Sequence, residues 1–382
     1  MSENMIFLAE HNLTGNERKY LNECIDTTFV SSVGAFVNRF EEEVAQIACA
    51  DYGTATSSGT TGLHMALKAC GVERDELVCI PSFTFIATAN AVMHCGAQPW
   101  LIDISEESWT MNPEVLEQEL FEKTVIREGK VYHKVTGKRV AAIMPVYTLG
   151  MPADMNNIKN IADKYHIPVI ADAAAAIGAT YRGKNLGMFA DATVFSFNGN
   201  KTVTCGGGGA IVSNNKELIE RAKHLATTAR CGVDYDHDMV GYNYRMTNVQ
   251  AAIGCAQLER VQQFVDRKRY VRDYYKAHLQ DIEGVSFFPE VEWADSACWF
   301  SGIVLSNKYD VKEICNELKV QEIEARTFWK PVHLQKPYKE MEKSEMLIAD
   351  DIWWRILTLP CSTTITEEQL EYVVSTVKKL LM

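Results

Sequence analysis

The sequence predicts an α/β protein: a large lobe on a mostly parallel sheet covered by helices, then a smaller C-terminal α+β lobe. Three observations predict it. Uninterrupted apolar runs such as Leu77 to Ile80 and Ile167 to Ala171 alternate with amphipathic helical stretches, as in a parallel sheet buried on both faces. The 382 residues exceed the usual size of a single core. The composition, 47% hydrophobic and 23% charged, is that of a globular chain, and no apolar run approaches the roughly 20 residues of a membrane helix.

Residues 14 to 50 read as two helical segments around S-S-V-G at 31 to 34, with Phe36, Phe40 and Val44 on one face of the second. The stretch T-A-T-S-S-G-T-T-G-L then puts Gly59, Thr60 and Thr61 at the first turn of a helix striped with Leu63, Leu67 and Cys70. Free N–H groups, a positive dipole end and two hydroxyls there form either a phosphate cradle or a plain N-cap. His64 reads as packed within that helix. The strand Leu77 to Ile80 passes into a helix after Ser82. Phe85 falls at the junction, as a core ring or as a plate for a flat ligand. A strand from Pro99 to Ile104 follows, and residues 131 to 140 read as a surface hairpin turning near Thr136 and Gly137.

The core resumes with a helix whose Ile158, Ile161, Ala162 and Tyr165 share a face. Asp172 then stands at the carboxyl end of the strand Ile167 to Ala171, where open α/β sheets place ligands. Amid Ala173 to Ala176 its carboxylate requires a cation or a donor, whether it caps the next helix or faces a protonated ring nitrogen. Strand-like runs Ala192 to Phe197 and Ala210 to Ser213 flank Lys201 and four consecutive glycines. Two readings stand for Lys201: a loop lysine beside a flexible hinge, or an amine desolvated enough to attack a carbonyl. Leu218, Ala222 and Leu225 mark the next helix. A capping box from Thr247 to Gln250 opens a long helix through about Leu279. The lobe boundary is placed within it, giving a large domain over 1–255 and a small one over 256–382. The small lobe holds the strand-like C-W-F-S-G-I-V-L and a last helix opened by Thr366 with Gln369.

A net charge of −12 with scattered basic residues argues against nucleic acid as a partner. The eleven cysteines contain no C-x-x-C pair and read as reduced thiols rather than as a disulfide frame or a metal site. Cys205, beside the glycine run, is a candidate reactive thiol. The first residues lack a basic region followed by a long apolar core, so no secretory signal is expected and the protein reads as cytoplasmic, without a membrane partner.

In order, the chain offers a phosphate cradle, an aromatic plate, an acid at a strand end and a lysine in a glycine-rich loop. Those are the parts that pyridoxal 5'-phosphate (PLP) needs. The sequence resembles the DegT/DnrJ/EryC1/StrS sugar aminotransferases, which are fold type I PLP enzymes with a seven-stranded sheet. The resemblance spans nearly the whole chain. It is carried by S-S-G-T-T-G-L at 57 to 63, P-S-F-T-F at 81 to 85, G-M-P-A-D-M at 150 to 155, D-A-A-A-A-I-G-A at 172 to 179, F-S-F-N-G-N-K at 195 to 201, G-Y-N-Y-R-M-T-N-V-Q-A-A-I-G at 241 to 254 and P-V-H-L-Q-K-P-Y at 331 to 338.

The resemblance implies that Lys201 forms the Schiff base with the cofactor, Asp172 pairs with the pyridine nitrogen and Phe85 stacks on the ring. It implies that Gly59, Thr60, Thr61 and Ser196 hold the phosphate and that Asn243 reaches the neighbouring subunit's site, making a homodimer with shared active sites. F-N-G-N-K and R-T-F-W-K-P-V-H look most like members acting at C4 of UDP-linked 2-acetamido-2,6-dideoxy-4-keto-hexoses. On that likeness Asn198, Arg326, Trp329 and His333 face the sugar nucleotide, and L-glutamate is the amino donor, leaving 2-oxoglutarate. A GDP- or dTDP-linked keto sugar, aminated at C4 or C3, is the alternative.

Two departures from the family pattern bear on substrate choice. Ala175 stands where the family usually has Gln, Glu or His, and residues 131 to 140 look like an insertion. Of the rival readings, the dehydratase branch carries histidine in place of Lys201. A nucleotide-binding oxidoreductase would need G-x-G-x-x-G between a strand and a helix. A non-catalytic regulator on the same scaffold would show no turnover.

Overall fold

The structure, a computed structural model, describes residues 5–382. Seven strands make one twisted sheet in the large lobe. Tyr52–Thr56, Gly209–Ser213, Ala192–Ser196 and Ile170–Asp172 lie side by side, as do Gln98–Ile102, Leu77–Pro81 and Val140–Ile143. Parallel bridges Ile143↔Val169 and Val146↔Asp172 join the two groups. Gly209–Ser213 is antiparallel to both of its neighbours, and the other strand pairs of this sheet are parallel. The sheet is therefore mostly parallel, and it is apolar because both of its faces are covered.

Helix starts follow their caps. Ser58 and Thr61 close a capping box at Gly59–Ala69, and Thr247 with Gln250 does so at Asn248–Leu258. Phe40 on the helix Ala35–Ala48 packs edge-on against Phe197, with ring centroids 4.9 Å apart, which buttresses the strand leading to Lys201 from behind. Gly209 is glycine for a steric reason. A Cβ there would lie 2.4 Å from the carbonyl oxygen of Ser58, so the glycine run lets the antiparallel strand pass the turn that opens the helix Gly59–Ala69.

The smaller lobe has an antiparallel sheet in the order Val285–Phe287, Ser301–Leu305, Ile356–Leu359, Arg326–Thr327. Its helices include Val311–Val320 and Glu367–Leu381, the latter opened by the capping box of Thr366 and Gln369. Two hydrophobic clusters meet along the helix Val261–Leu279: Phe264 and Val265 pack in the large-lobe core, Val271, Tyr275 and Leu279 in the other. Ile6 and Leu8 also belong to the second cluster, so this stretch packs against the small lobe.

Three expectations are corrected. The long helix from Thr247 to Leu279 is two helices, because Glu259 and Arg260 interrupt it; Glu259 accepts bonds from Tyr20, Asn16 and Arg39, and Arg260 bonds Asn12 and Thr14. The hairpin turning near Thr136 and Gly137 is present, with the antiparallel bridge Tyr132↔Arg139, but it is not a surface excursion, and another hairpin over Thr124–Arg127 and Lys130–His133 precedes it. That preceding hairpin turns at Glu128 and Gly129, both at positive φ, which suits a two-residue turn. Gly137 makes a second turn, its N–H donating to the His133 carbonyl at 2.9 Å, and His133 is buried against Trp100 rather than on the surface. Cys205 is buried, and burial pushes its thiol well above the usual range, so it is an inert core residue.

Candidate active site

A cavity of about 500 Å³ opens at the carboxyl ends of the parallel strands, between the lobes. Its lining includes Gly59, Thr60, Phe85, Asp172, Ser196, Asn198, Lys201, Arg326 and Trp329. One chain therefore brings nine of the twelve residues singled out above to one place.

The helix Gly59–Ala69 aims its N-terminus at this cavity. Ser58 Oγ accepts the N–H of Thr61 at 3.2 Å, which leaves the N–H groups of Gly59 and Thr60 at the open first turn. Thr61 does not line the cavity. Its hydroxyl donates to the Ser58 carbonyl at 2.9 Å and accepts the Ser58 N–H at 3.0 Å, so it serves the cap that shapes the turn. A Cβ at Gly59 would come within 2.7 Å of the Ser196 Cβ, and glycine is what lets the helix start sit against that serine.

Asp172 ends the strand Ile170–Asp172 and is buried. Its Oδ2 accepts from the Thr88 hydroxyl at 2.7 Å and its Oδ1 from the Ala174 N–H at 3.1 Å; Thr88 in turn bonds Thr84 at 2.8 Å. Burial raises its pKa, while Thr88, Ala174 and the charge of Lys201 pull it down. Ala175 also lines the cavity, so no polar side chain stands at that position.

Lys201 follows the strand Ala192–Ser196 on a turn closed by its own N–H to the Asn198 carbonyl at 3.0 Å. Burial lowers its pKa to about 8, against the opposing pull of Asp172. Its Nζ lies 3.6 Å from the centre of the Trp299 ring. Phe85 caps the helix Ile86–His94; its ring is half exposed and stands 5.9 Å from that of Trp329. Trp329 stacks on Phe328 at 4.3 Å. Arg326 bonds Glu324 and is mostly exposed at the cavity wall.

Two residues fall elsewhere. His333 is buried between lobes: its Nδ1 pairs with Ser82 Oγ at 2.6 Å and its Nε2 with Asp350 at 2.8 Å. It ties the segment that carries Trp329 to the segment that carries Phe85, and it does not line the cavity. Asn243 is exposed on the segment bridged to Thr227 and is likewise outside the cavity of its own chain. Sequence reasoning missed Thr88 and Trp299. Thr88 was findable, because T-F-I-A-T sets Thr84 and Thr88 one helical turn apart beside a strand-end acid. Trp299 gave no local signal, since it comes from the other lobe. A His224, Cys231 and Asp238 group has donor atoms within 4.8 Å of one another, with His224 and Asp238 already bonded at 2.7 Å; none of the three lines the cavity.

The profile of the DegT/DnrJ/EryC1/StrS aminotransferase family matches residues 11–378. The chain belongs to that family. GDP-perosamine synthase of Escherichia coli O157:H7 is 37% identical over 368 residues, covering 96% of each chain. The UDP-4-amino-4,6-dideoxy-N-acetyl-beta-L-altrosamine transaminase of Campylobacter jejuni is 28% identical over 383 residues, 99% of this chain and 98% of the other. A solved DegT DnrJ EryC1 StrS aminotransferase from Brucella abortus superimposes with a TM-score of 0.86 at 25% identity, covering 96% of this chain and 95% of that one. As a member of the DegT/DnrJ/EryC1/StrS family, the protein is a PLP-dependent sugar-nucleotide aminotransferase with the fold type I architecture. The cavity fits the cofactor: it offers the open N–H groups of Gly59 and Thr60 at a helix N-terminus for a phosphate, a half-exposed ring, a buried acid and an amine with a depressed pKa. No helix among the described residues is long and apolar enough to cross a membrane.

Proposed function

We propose that the protein aminates a GDP-linked 4-keto-6-deoxy sugar at C4, with L-glutamate as donor, in a homodimer whose sites are shared. The observation that carries the chemistry is the meeting of Lys201, Asp172 and the open N-terminus at Gly59 in one cavity. The GDP assignment is supported by the identity to the Escherichia coli relative over nearly the full length of both chains. A UDP-linked 2-acetamido sugar is the second reading, favoured by the F-N-G-N-K and R-T-F-W-K-P-V-H stretches and by the name of the Campylobacter jejuni relative.

When bound, PLP supplies an electrophilic aldehyde and an electron sink. The first-turn N–H groups of Gly59 and Thr60, with Ser196, hold its phosphate, and Phe85 covers one face of its ring. Asp172 keeps a proton on the ring nitrogen. That task requires a carboxylate that stays charged despite burial, which is what the hydroxyl of Thr88 and the N–H of Ala174 favour. Lys201 Nζ would take the Cα proton of glutamate and give it up on the cofactor side of the new C–N bond, so that 2-oxoglutarate can leave; in the second half-reaction it would move a proton in the opposite sense, onto the sugar carbon. A pKa of about 8 suits an amine that gives and takes protons near neutrality. Arg326, Asn198 and Trp329 face the sugar nucleotide, with Arg326 as the cation for its diphosphate. His333 acts at one remove by fixing Phe85 and Trp329, and Asn243 reaches the partner subunit's phosphate site.

The test is a panel of GDP-, UDP- and dTDP-linked 4-keto-6-deoxy sugars with L-glutamate, following 2-oxoglutarate and the product by NMR. The highest kcat/KM is expected with GDP. A best substrate carrying UDP and an N-acetyl group would overturn the nucleotide assignment, and no turnover with any member would overturn the function.

A further inference from the structure

Trp299 lies outside every motif that carries the family resemblance and was read only as part of a strand-like run, yet the fold spends several unusual features on placing it. Its N–H donates to the Leu149 carbonyl at 3.0 Å, and the neighbouring Ala297 N–H donates to the Gly150 carbonyl at 3.0 Å. Its own carbonyl accepts from the buried Lys268 Nζ at 3.0 Å. Leu149 and Cys298, on the two sides of this clamp, sit at φ of 59° and 51°, a left-handed backbone that costs non-glycine residues about 1–2 kcal/mol each. A Cβ at Gly150 would lie 2.9 Å from the Ala175 carbonyl oxygen and 3.2 Å from the Ala297 Cβ, so the two strands of the clamp approach as closely as glycine permits.

The side chain so placed is used on both its edge and its face. The indole N–H donates to the Asn200 carbonyl at 2.7 Å, one residue before the lysine, across 99 positions of chain. The ring stacks on Phe300 at 4.1 Å and presents its face to Lys201 Nζ at 3.6 Å. Strained backbone held in place by its surroundings is a pointer to function. A desolvated ammonium over an indole face is held by the ring quadrupole.

We infer that Trp299 is a positioning residue for Lys201: its indole N–H fixes the backbone of the lysine turn and its ring face holds the free amine in place between proton transfers. The inference rests on Lys201 as the reactive amine of the proposed function. Two influences then oppose each other at Nζ. Burial favours the neutral amine and Asp172 on the strand below favours the ammonium; the indole face from the other lobe, 3.6 Å from Nζ, also favours the ammonium. Removing the ring removes one of the two groups that hold the charge.

The test uses the full chain stripped of cofactor. Trace acylation of Lys201, read by mass spectrometry of its peptide across pH, reports the amine's midpoint without any turnover. Trp299→Leu should lower that midpoint by about one pH unit, and Trp299→Phe, which keeps a face and loses the N–H, should restore most of it. Fluorinated tryptophans, which weaken the face while keeping the shape, should lower the midpoint step by step with the number of fluorines; this arm decides if Trp299→Leu does not fold. In the holoenzyme, Trp299→Leu should reduce kcat more than it changes KM for glutamate. An unmoved midpoint in folded Trp299→Leu, or no response to fluorination, would overturn the inference while leaving the reactive lysine intact. If Lys201 of the wild type takes up no PLP at all, the function itself falls instead.

Discussion

Lys201 and Asp172 each occupy a position that ordinary packing leaves unexplained: a lysine between two buried strands, and an acid among four alanines at a strand end. Their environments make definite demands. The pKa of Lys201 lies at about 8, below its ordinary value, so the neutral amine grows as pH rises through that point. The rate of PLP uptake by cofactor-free protein should therefore climb with pH and level off above about 8, and stopped-flow absorbance measures it; a rate still climbing at pH 10 would mean a solvated lysine. Thr88 holds the pKa of Asp172 down, so Thr88→Val raises it. The acid limb of kcat/KM should move to higher pH in that variant, and a limb that stays in place would dissociate Thr88 from the acid. Gly59→Ala forces its new methyl to within 2.7 Å of the Ser196 Cβ. Overpacking of that kind costs about 1–3 kcal/mol, and equilibrium titration should show cofactor affinity weakened about ten- to a hundredfold.

At the level of elements, local rules found most helices and missed what tertiary contacts decide. The capping boxes at Thr247 and Thr366 were readable from four residues each. The interruption at Glu259 was not, because its cause is a set of bonds to Tyr20 and Arg39, far away in the chain. The turn at Thr136 and Gly137 was readable from its own residues, whereas the preceding turn at Glu128 and Gly129 was missed, and so was the burial of His133, because the Trp100 that covers it is distant in the chain. His333 was assigned to substrate on family likeness, but its ring is spent on Ser82 and Asp350. His333→Ala removes the ring partner of Ser82 in a dry site and leaves its hydroxyl only the main-chain N–H of residue 333 at 3.3 Å, a loss of about 1 kcal/mol. Thermal unfolding should register that loss, and KM for the sugar nucleotide should rise as Phe85 and Trp329 loosen, with acylation of Lys201 unchanged.

For the whole molecule, the seven-stranded sheet places the acid and the lysine at the carboxyl ends of two neighbouring strands, and the second lobe completes the cavity with Arg326, Trp329 and Trp299. In the proposed homodimer, Asn243 would stand beside the partner's cofactor phosphate. Mixing Lys201→Ala with Asn243→Ala subunits should then restore more activity than the two variants show separately, because each hybrid dimer holds one complete site. Additive activity after subunit exchange would leave Asn243 within its own chain. The most direct test of the account is to load the protein with PLP, reduce it with borohydride and map the modified peptide. One label per chain at Lys201, absent when L-glutamate is added before reduction, is the result the account predicts. A label on any other lysine, or none at all, would contradict it.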